Sequence, residues 1–404
     1  MLLSHVCSGW REATLASSEL WRELSFLEHP PRAIPDLLAR SQQQTLELDC
    51  RAQIYGSDDP PHAVALCQTL MSPLVSQRIQ GLRIYQSNGL FSRSGWLSLF
   101  RSPMPFLDNL SISVYDIGAT VTEDVILPVD IGAMPSPRLS SIALCGCRLP
   151  WISPLYNANI VTLELSMMIW GQESLSSQSH FYNALERMPA LKKLTLDNAF
   201  PRFTSEMDNL VRLQCLEQLR FRSYQSTITS ALKTLLSFEL PRELCCHIDL
   251  YGQGPPAEPD IISRAIAHVF QNPPEAPLAL RISAVCFETM PFLEGSTKQR
   301  DRTLPGWQDV CTQLGSWALS PKERCFDISF GPEWPLMRQL SLVKMSSLRH
   351  ITVTADAMRH TADAETWKEE FSPAQQVQSL ALNFTAPLSA LLSALTDTTM
   401  DTDT

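Results

Sequence analysis

Cysteines at short spacing are the residues of this chain whose type could do chemistry, as thiolate ligands of a metal or as nucleophiles. Two close sets occur, Cys145-Gly146-Cys147 and Cys245-Cys246. A structural zinc takes four ligands, usually from two such pairs or from a pair and histidines. Neither set has a second pair or a His at that spacing. Asp356 and His360 stand four apart on an expected helix, which suits a surface ion pair, because a metal needs a third ligand. Gly252-Gln253-Gly254 runs into Pro255-Pro256 rather than a helix start, so it does not turn backbone N–H groups onto a phosphate. The sequence has no G-x-S-x-G turn and no H-E-x-x-H helix, the spacings that build a nucleophile elbow or a zinc protease. The expectation is a non-catalytic protein with no cofactor and no metal.

Composition narrows the partners. With 404 residues, 44% of them apolar, the chain is long enough to bury a large core. A net charge of -10 without a basic cluster argues against nucleic acid, whose phosphates are held by Lys and Arg. No apolar run approaches the roughly 18 residues of a membrane span, so no membrane partner is expected. The 11 cysteines are odd in number and follow no secretory leader, which favours reduced thiols in the cytoplasm or nucleus.

The elements that position these residues begin with HVCSGWREATLASSELWREL, residues 5–24. Leu2, Val6, Trp10 and Ala13 recur on one helical face while Ser8, Arg11 and Glu12 face away. Ser17 and Ser18 punctuate, Ser18 suits an N-cap, and Glu19 suits the positive helix end. Leu20, Trp21 and Leu24 then form a second apolar stripe. Two short helices are expected within residues 2–26. They are too small to shield both tryptophans, whose rings must pack on the rest of the chain or on a partner.

Behind them a unit repeats. Residues 96–112 (WLSLFRSPMPFLDNLSI) and 181–196 (FYNALERMPALKKLTL) each give an apolar helix face, Met-Pro, and L-x-x-L-x-L. In the second copy Phe181, Ala184, Leu185 and Met188 share a helix face, Pro189 ends the helix, and Leu191, Leu194 and Leu196 begin a strand. The Met-Pro pairs at Met104 and Met188 lie about three units of roughly 28 residues apart. Further strand cores are Ile79/Leu82/Ile84, Leu139/Ile142/Leu144, Ile160/Leu163/Leu165, Leu216/Leu219/Phe221, Cys245/Ile248/Leu250, Leu348/Ile351/Val353 and Val377/Leu380/Leu382, with one longer interruption. A strand and helix with one apolar side close a core only by stacking on neighbours. The expected fold is therefore α/β, an irregular leucine-rich-repeat solenoid of parallel strands plus helices. Only LSSIALCGC, residues 139–147, carries the full L-x-x-L-x-L-x-x-C pattern, which puts Cys147 at the turn position; Tyr115, Ala199 and Tyr224 stand there elsewhere. Strand side chains alternate, so the x positions Glu164, Lys192, Lys193, Thr195, Glu217, Gln218, Arg220, Arg349, His350 and Thr352 should line one broad concave face of mixed charge, a pattern that suits a protein partner.

Val6-Cys7, Trp10-Arg11 and Leu20-Trp21 resemble the second half of an F-box. With LLARSQQQTLELD (37–49), LPWISPLYNANIVTLELS and ALKTLLSFELPRELCCHIDL, the chain from Leu3 to about Leu395 resembles the fungal, basidiomycete-type F-box proteins with degenerate leucine-rich repeats. The Leu-Pro and acidic segment that opens such F-boxes has no counterpart ahead of Val6, so the match is to an N-terminally truncated F-box. The resemblance implies a partial F-box at 1–28, a connecting region at 29–75, a repeat array at 76–395 and a disordered tail at 396–404. It further implies docking of a Skp-type adaptor and cullin complex through Val6, Trp10, Arg11, Leu20 and Trp21. An unknown protein substrate would be held by concave-face residues, Glu164, Lys192, Lys193, Glu217, Arg220 and Arg349 among them. The alternative is a ligase-independent interaction scaffold whose N-terminal helices only cap the repeats.

Overall fold

The computed structural model describes residues 7–25, 31–51, 60–87, 91, 95–115, 125–131, 136–167, 177–201, 203, 210–224, 227–241, 244–251, 261, 264–265, 268, 278–284, 324–330, 348–354 and 379–383. Val6, the loops 252–259 and 295–303, Asp356, His360, Val377 and the tail 396–404 lie outside the described residues.

The fold is α/β and built on a large parallel sheet. Its strands are β1 (Glu23–Ser25), β2 (Leu46–Arg51), β3 (Ile79–Ser87), β4 (Asn109–Tyr115), β5 (Val125–Ile126), β6 (Ser141–Cys145), β7 (Cys147–Arg148), β8 (Thr162–Ser166) and β9 (Lys193–Asp197). There follow β10 (Val211–Arg212), β11 (Gln218–Tyr224), β12 (Phe238–Glu239), β13 (Cys245–Tyr251), β14 (Leu278–Ala284), β15 (Arg324–Phe330), β16 (Leu348–Thr354) and β17 (Ser379–Asn383). The helices used below are α1 (Ser8–Ala16), α2 (Ile34–Arg40), α3 (Pro60–Met71), α4 (Pro73–Ser76), α5 (Trp96–Leu99) and α6 (Gln178–Glu186).

Contacts divide the chain into two compact units, Met1–Gln218 with Lys233–Pro241, and Leu219–Leu232 with Arg242–Thr404. In the first unit the sheet runs β1-β2-β3-β4-β6-β8-β9, and each of these pairings is parallel. Register aligns the apolar positions into rows. Leu24, Leu48, Leu82, Leu110, Ile142, Leu163 and Leu194 are successive partners, and all are buried. Two residues on, Cys50, Ile84, Ile112, Leu144, Leu165 and Leu196 make a second buried row. Pairs β5-β7 and β10-β12 form separate two-stranded parallel sheets.

The repeat recurs at the level of single hydrogen bonds. The first apolar residue of five strand cores closes a turn by donating its N–H three residues back: Leu107 to Met104, Leu139 to Ser136, Ile160 to Asn157, Leu191 to Met188 and Leu216 to Leu213. The chain then enters its strand through a doubled bond, in which two consecutive N–H groups share one carbonyl of the preceding unit. Ser140 and Ser141 share Asp108, Val161 and Thr162 share Ser140, Lys192 and Lys193 share Val161, and Glu217 and Gln218 share Lys192. Helix α6 shows how a unit's helix is bounded. Ser177 caps it by accepting from the His180 N–H at 3.4 Å, Phe181, Ala184 and Leu185 are buried, and Pro189 bars continuation past Met188. An aromatic train packs beneath it, with Trp151 against Tyr156 and Phe181, Phe181 against Tyr182, and Tyr182 against Phe238.

Two expectations are corrected. The stretch 29–75, expected to be connecting chain, supplies α2, α3, α4 and β2, and β2 pairs with β1 and β3; β1 itself falls inside the span expected to be helical. The sheet therefore starts before residue 76. In the second unit, the long interruption after Leu250 holds β14 and β15, and the strand order is β11-β13-β15-β14-β16-β17. The pairings β13-β15, β15-β14, β14-β16 and β16-β17 are parallel, with β14 and β15 exchanged relative to chain order. Strands β13 and β14 there each satisfy a ladder with a neighbour that is not next in the sequence, a freedom that weak, non-identical repeats permit.

Because Leu194 is fully buried within the first row, Leu194→Ala is expected to cost about 2–5 kcal/mol. Thr195→Ala, on the opposite face, should change stability by no more than about 0.5 kcal/mol. Urea unfolding followed by circular dichroism measures both.

Candidate functional site

Residues 7–25 form a small module at the β1 edge. Ser17 interrupts the chain between α1 and a 3-10 turn, Ser18–Trp21. Trp21 is 3% exposed, its indole N–H donates to the Thr14 carbonyl at 2.9 Å, and the Arg40 guanidinium lies 4.9 Å over its ring. Gln44 of the loop after α2 donates to the Ser18 hydroxyl at 3.3 Å. Trp21 thus anchors the module to this chain, which corrects its expected role as an adaptor contact: no face of its ring is left to offer. Trp10 and Leu20 are each 54% exposed and Leu15 is 38% exposed; Arg11 is also exposed. These exposed apolar side chains lie within eleven residues of chain, between Trp10 and Leu20.

Beside the module a polar network ties the first strands together. Gln80 accepts from Arg22 and from Thr45, both at 2.8 Å, and Arg22 lies 3.6 Å from Glu47. Glu47 and Gly81 are register partners, and a Cβ at Gly81 would overlap the Glu47 carboxylate. Only glycine leaves Glu47 room to lie across β3. This network was not foreseen, because its members lie far apart in the chain, Arg22 and Gln80 by 58 residues and Thr45 and Gln80 by 35, and meet only through register.

The sheet face opposite the buried rows is open. Along β6, β8 and β9 buried and half-exposed residues alternate, which places Glu164, Lys193 and Thr195 on that face, as their spacing predicted. Lys193 on β9 reaches Glu164 on β8 in an ion pair. Lys192 and Glu217, at the strand starts, pair at 2.7 Å, and the hydrogen bond and charge of Glu217 push the Lys192 amine above its ordinary pKa. The structure therefore brings Glu164 to Lys193 and Lys192 to Glu217. Arg220 lies half-exposed on β11 of the second unit, and Arg349 lies on β16, whose side chains are outside the described residues. Arg83 and Tyr85 on β3 belong to the open face as well: Asp49, Arg83, Ser111, Ala143, Glu164 and Thr195 form one row across it. The alternation of QGLRIYQS carried that signal.

Cys147 is buried and donates weakly to the Ile112 carbonyl of β4 at 3.7 Å; it opens strand β7, where its place in LSSIALCGC had put it at a turn. Cys145, two residues before it, is half-exposed and lies in the row of Ser113 and Ser166. Among the described residues no three His, Cys, Asp or Glu side chains gather as a metal site, and no helix is long and apolar enough to cross a membrane. No family model matches the chain, and no curated protein matches it.

Burial sets thiol reactivity. It pushes the Cys67 thiol up to about 12 and holds Cys50 well above its ordinary value, with the Asp49 carboxylate adding to the effect. Thiolate is the nucleophile, so iodoacetamide at pH 8 should alkylate exposed Cys7 and Cys215 and spare Cys50 and Cys67, as read by peptide mass mapping. Since the folded pKa of Cys67 is raised, its contribution to stability is complete below the unfolded value of 9.0 and is lost as pH rises toward about 12.

Proposed function

We propose that this chain is a non-catalytic substrate receptor of a cullin-RING ubiquitin ligase. The N-terminal module, read as the second half of an F-box, docks on the Skp-type adaptor. The parallel sheet, read as an irregular leucine-rich-repeat solenoid, holds a target protein on its open, concave face. The transfer chemistry belongs to other subunits. One observation carries the reading: Trp10 and Leu20, two residues of the F-box resemblance, are each 54% exposed while a neighbouring tryptophan anchors their module. Free cysteines at positions 7, 50, 67, 145, 147, 215 and 246 accord with a reducing compartment, cytoplasm or nucleus.

A second reading rests on the module's other half. Trp21 is buried and β1 extends the sheet beyond β2, so the module also covers the sheet edge, as a cap in a ligase-independent scaffold would. The two readings part on one experiment, co-purification of the full chain with adaptor and cullin. Under the receptor reading the wild type retains both, and Trp10→Ala with Leu20→Ala lowers retention on the order of thirtyfold or more, with the melting temperature unchanged. If the wild type retains no adaptor, or the double variant retains it as fully as the wild type, the receptor reading fails. Trp21→Ala should instead lower the melting temperature, because removing a buried tryptophan costs about 3–5 kcal/mol.

A further inference from the structure

Helices α1 and α6 have the same length, nine residues each, and differ in how much they bury and in how their N-termini are capped. Helix α6 buries Gln178, Phe181, Tyr182, Ala184 and Leu185 and is capped by Ser177. Helix α1 buries Thr14 alone. Its N-cap, Cys7, has the extended backbone of a cap but makes no side-chain hydrogen bond, and like α6 it has neither an acidic residue in its first turn nor a basic one in its last. Gly9 sits in that first turn and a Cβ there would meet nothing within 4 Å, so no close approach requires a glycine. The Thr14 hydroxyl bonds back to the Trp10 carbonyl at 2.7 Å, a bond that does nothing to fasten α1 to the body. One attachment that runs from α1 to the rest of the module is the bond from the Trp21 indole to the Thr14 carbonyl. Isolated helices shorter than about 12–15 residues are marginal in water, and α1 has little tertiary packing to make up the difference.

We infer that α1 is a weakly held arm: in the free chain it opens and re-forms about Ser17 while Trp21 and β1 stay fixed to the sheet. This rests on, and deepens, the receptor reading. A partner that grips Trp10 and Leu20 orders the arm as it binds, and the ordering cost lowers its affinity in exchange for a module able to adjust its angle. Gly9 and the uncapped Cys7 then hold α1 below its possible stability, and variants there shift the arm's equilibrium without touching the exposed side chains.

The test is hydrogen exchange on the full chain without partner, followed by mass spectrometry. Amides of residues 11–16 should exchange within about tenfold of unstructured rates, whereas those of α6, β2 and β3 should be protected by orders of magnitude more. Gly9→Ala and Cys7→Asp should each slow α1 exchange by roughly fivefold and leave α6, β2 and β3 unchanged. Protection of α1 equal to that of α6 overturns the inference, as does a failure of both variants to slow exchange in α1. Because exchange is measured in the free chain, its outcome is separate from the receptor reading: loss of adaptor binding in co-purification would sink that reading and leave the exchange result standing.

Discussion

The structure depends on the in-register stacking of two aliphatic side chains per strand. A strand that presents Leu163 and Leu165, or Leu194 and Leu196, buries neither alone; each becomes covered when its parallel neighbours supply the same pair at the same height. Burial of this kind contributes about 1.5–3 kcal/mol per side chain, so slipping one strand by one residue would turn its pair to the open face and expose both. The same register that fills the rows fixes which residues share the other face. That is why the open-face positions are determinate although no single open-face residue directs the fold.

The doubled hydrogen bonds at the strand starts are the polar counterpart of the rows. Each carbonyl that receives two N–H groups, at Asp108, Ser140, Val161 and Lys192, closes one unit onto the next where the chain turns and would otherwise leave donors unpaired. The ion pairs on the open face do a different job. Lys193 with Glu164 and Lys192 with Glu217 are substantially exposed, and exposed pairs stabilise by at most about 1 kcal/mol. Their effect is to hold side-chain positions on a surface that meets solvent, which sets a pattern of alternating charge for whatever lies against it.

The N-terminal module divides its labour between its two tryptophans. Trp21 lies inside, with its indole N–H satisfied by Thr14 and its ring covered by Arg40, while Trp10 lies outside. Two residue types that look equivalent in the sequence are thus separated into anchor and offered surface. The edge that the module adds is only three residues long and carries exposed Glu23, a short, charged edge of the kind that discourages unwanted strand pairing. In this way one segment ends the sheet and also presents an apolar surface, and both functional readings begin from that pairing of roles.

Much of the fold was legible in the chain. The L-x-x-L-x-L spacing marked the strand cores around Leu82, Leu110, Ile142, Leu163 and Leu194, because it is a local pattern whose physics acts within ten residues. Strands β2, β14 and β15 escaped that template. Leu46, Leu48 and Cys50, or Phe326, Ile328 and Phe330, alternate with period two and lack the leading leucine, so only alternation identifies them. The helical spacing of Trp10 and Trp21 gave their secondary structure and not their burial. Which indole is enclosed depends on Arg40 and Thr14 arriving beside it, and which carboxylate finds a glycine to lie across depends on β2 and β3 meeting in register. By itself the sequence determined the period, the strand cores and the alternation of faces, since these follow from neighbours along the chain. Tertiary structure alone decided the anchor, the order of β14 and β15, and the polar network at Gln80, since each rests on residues distant in sequence being brought together.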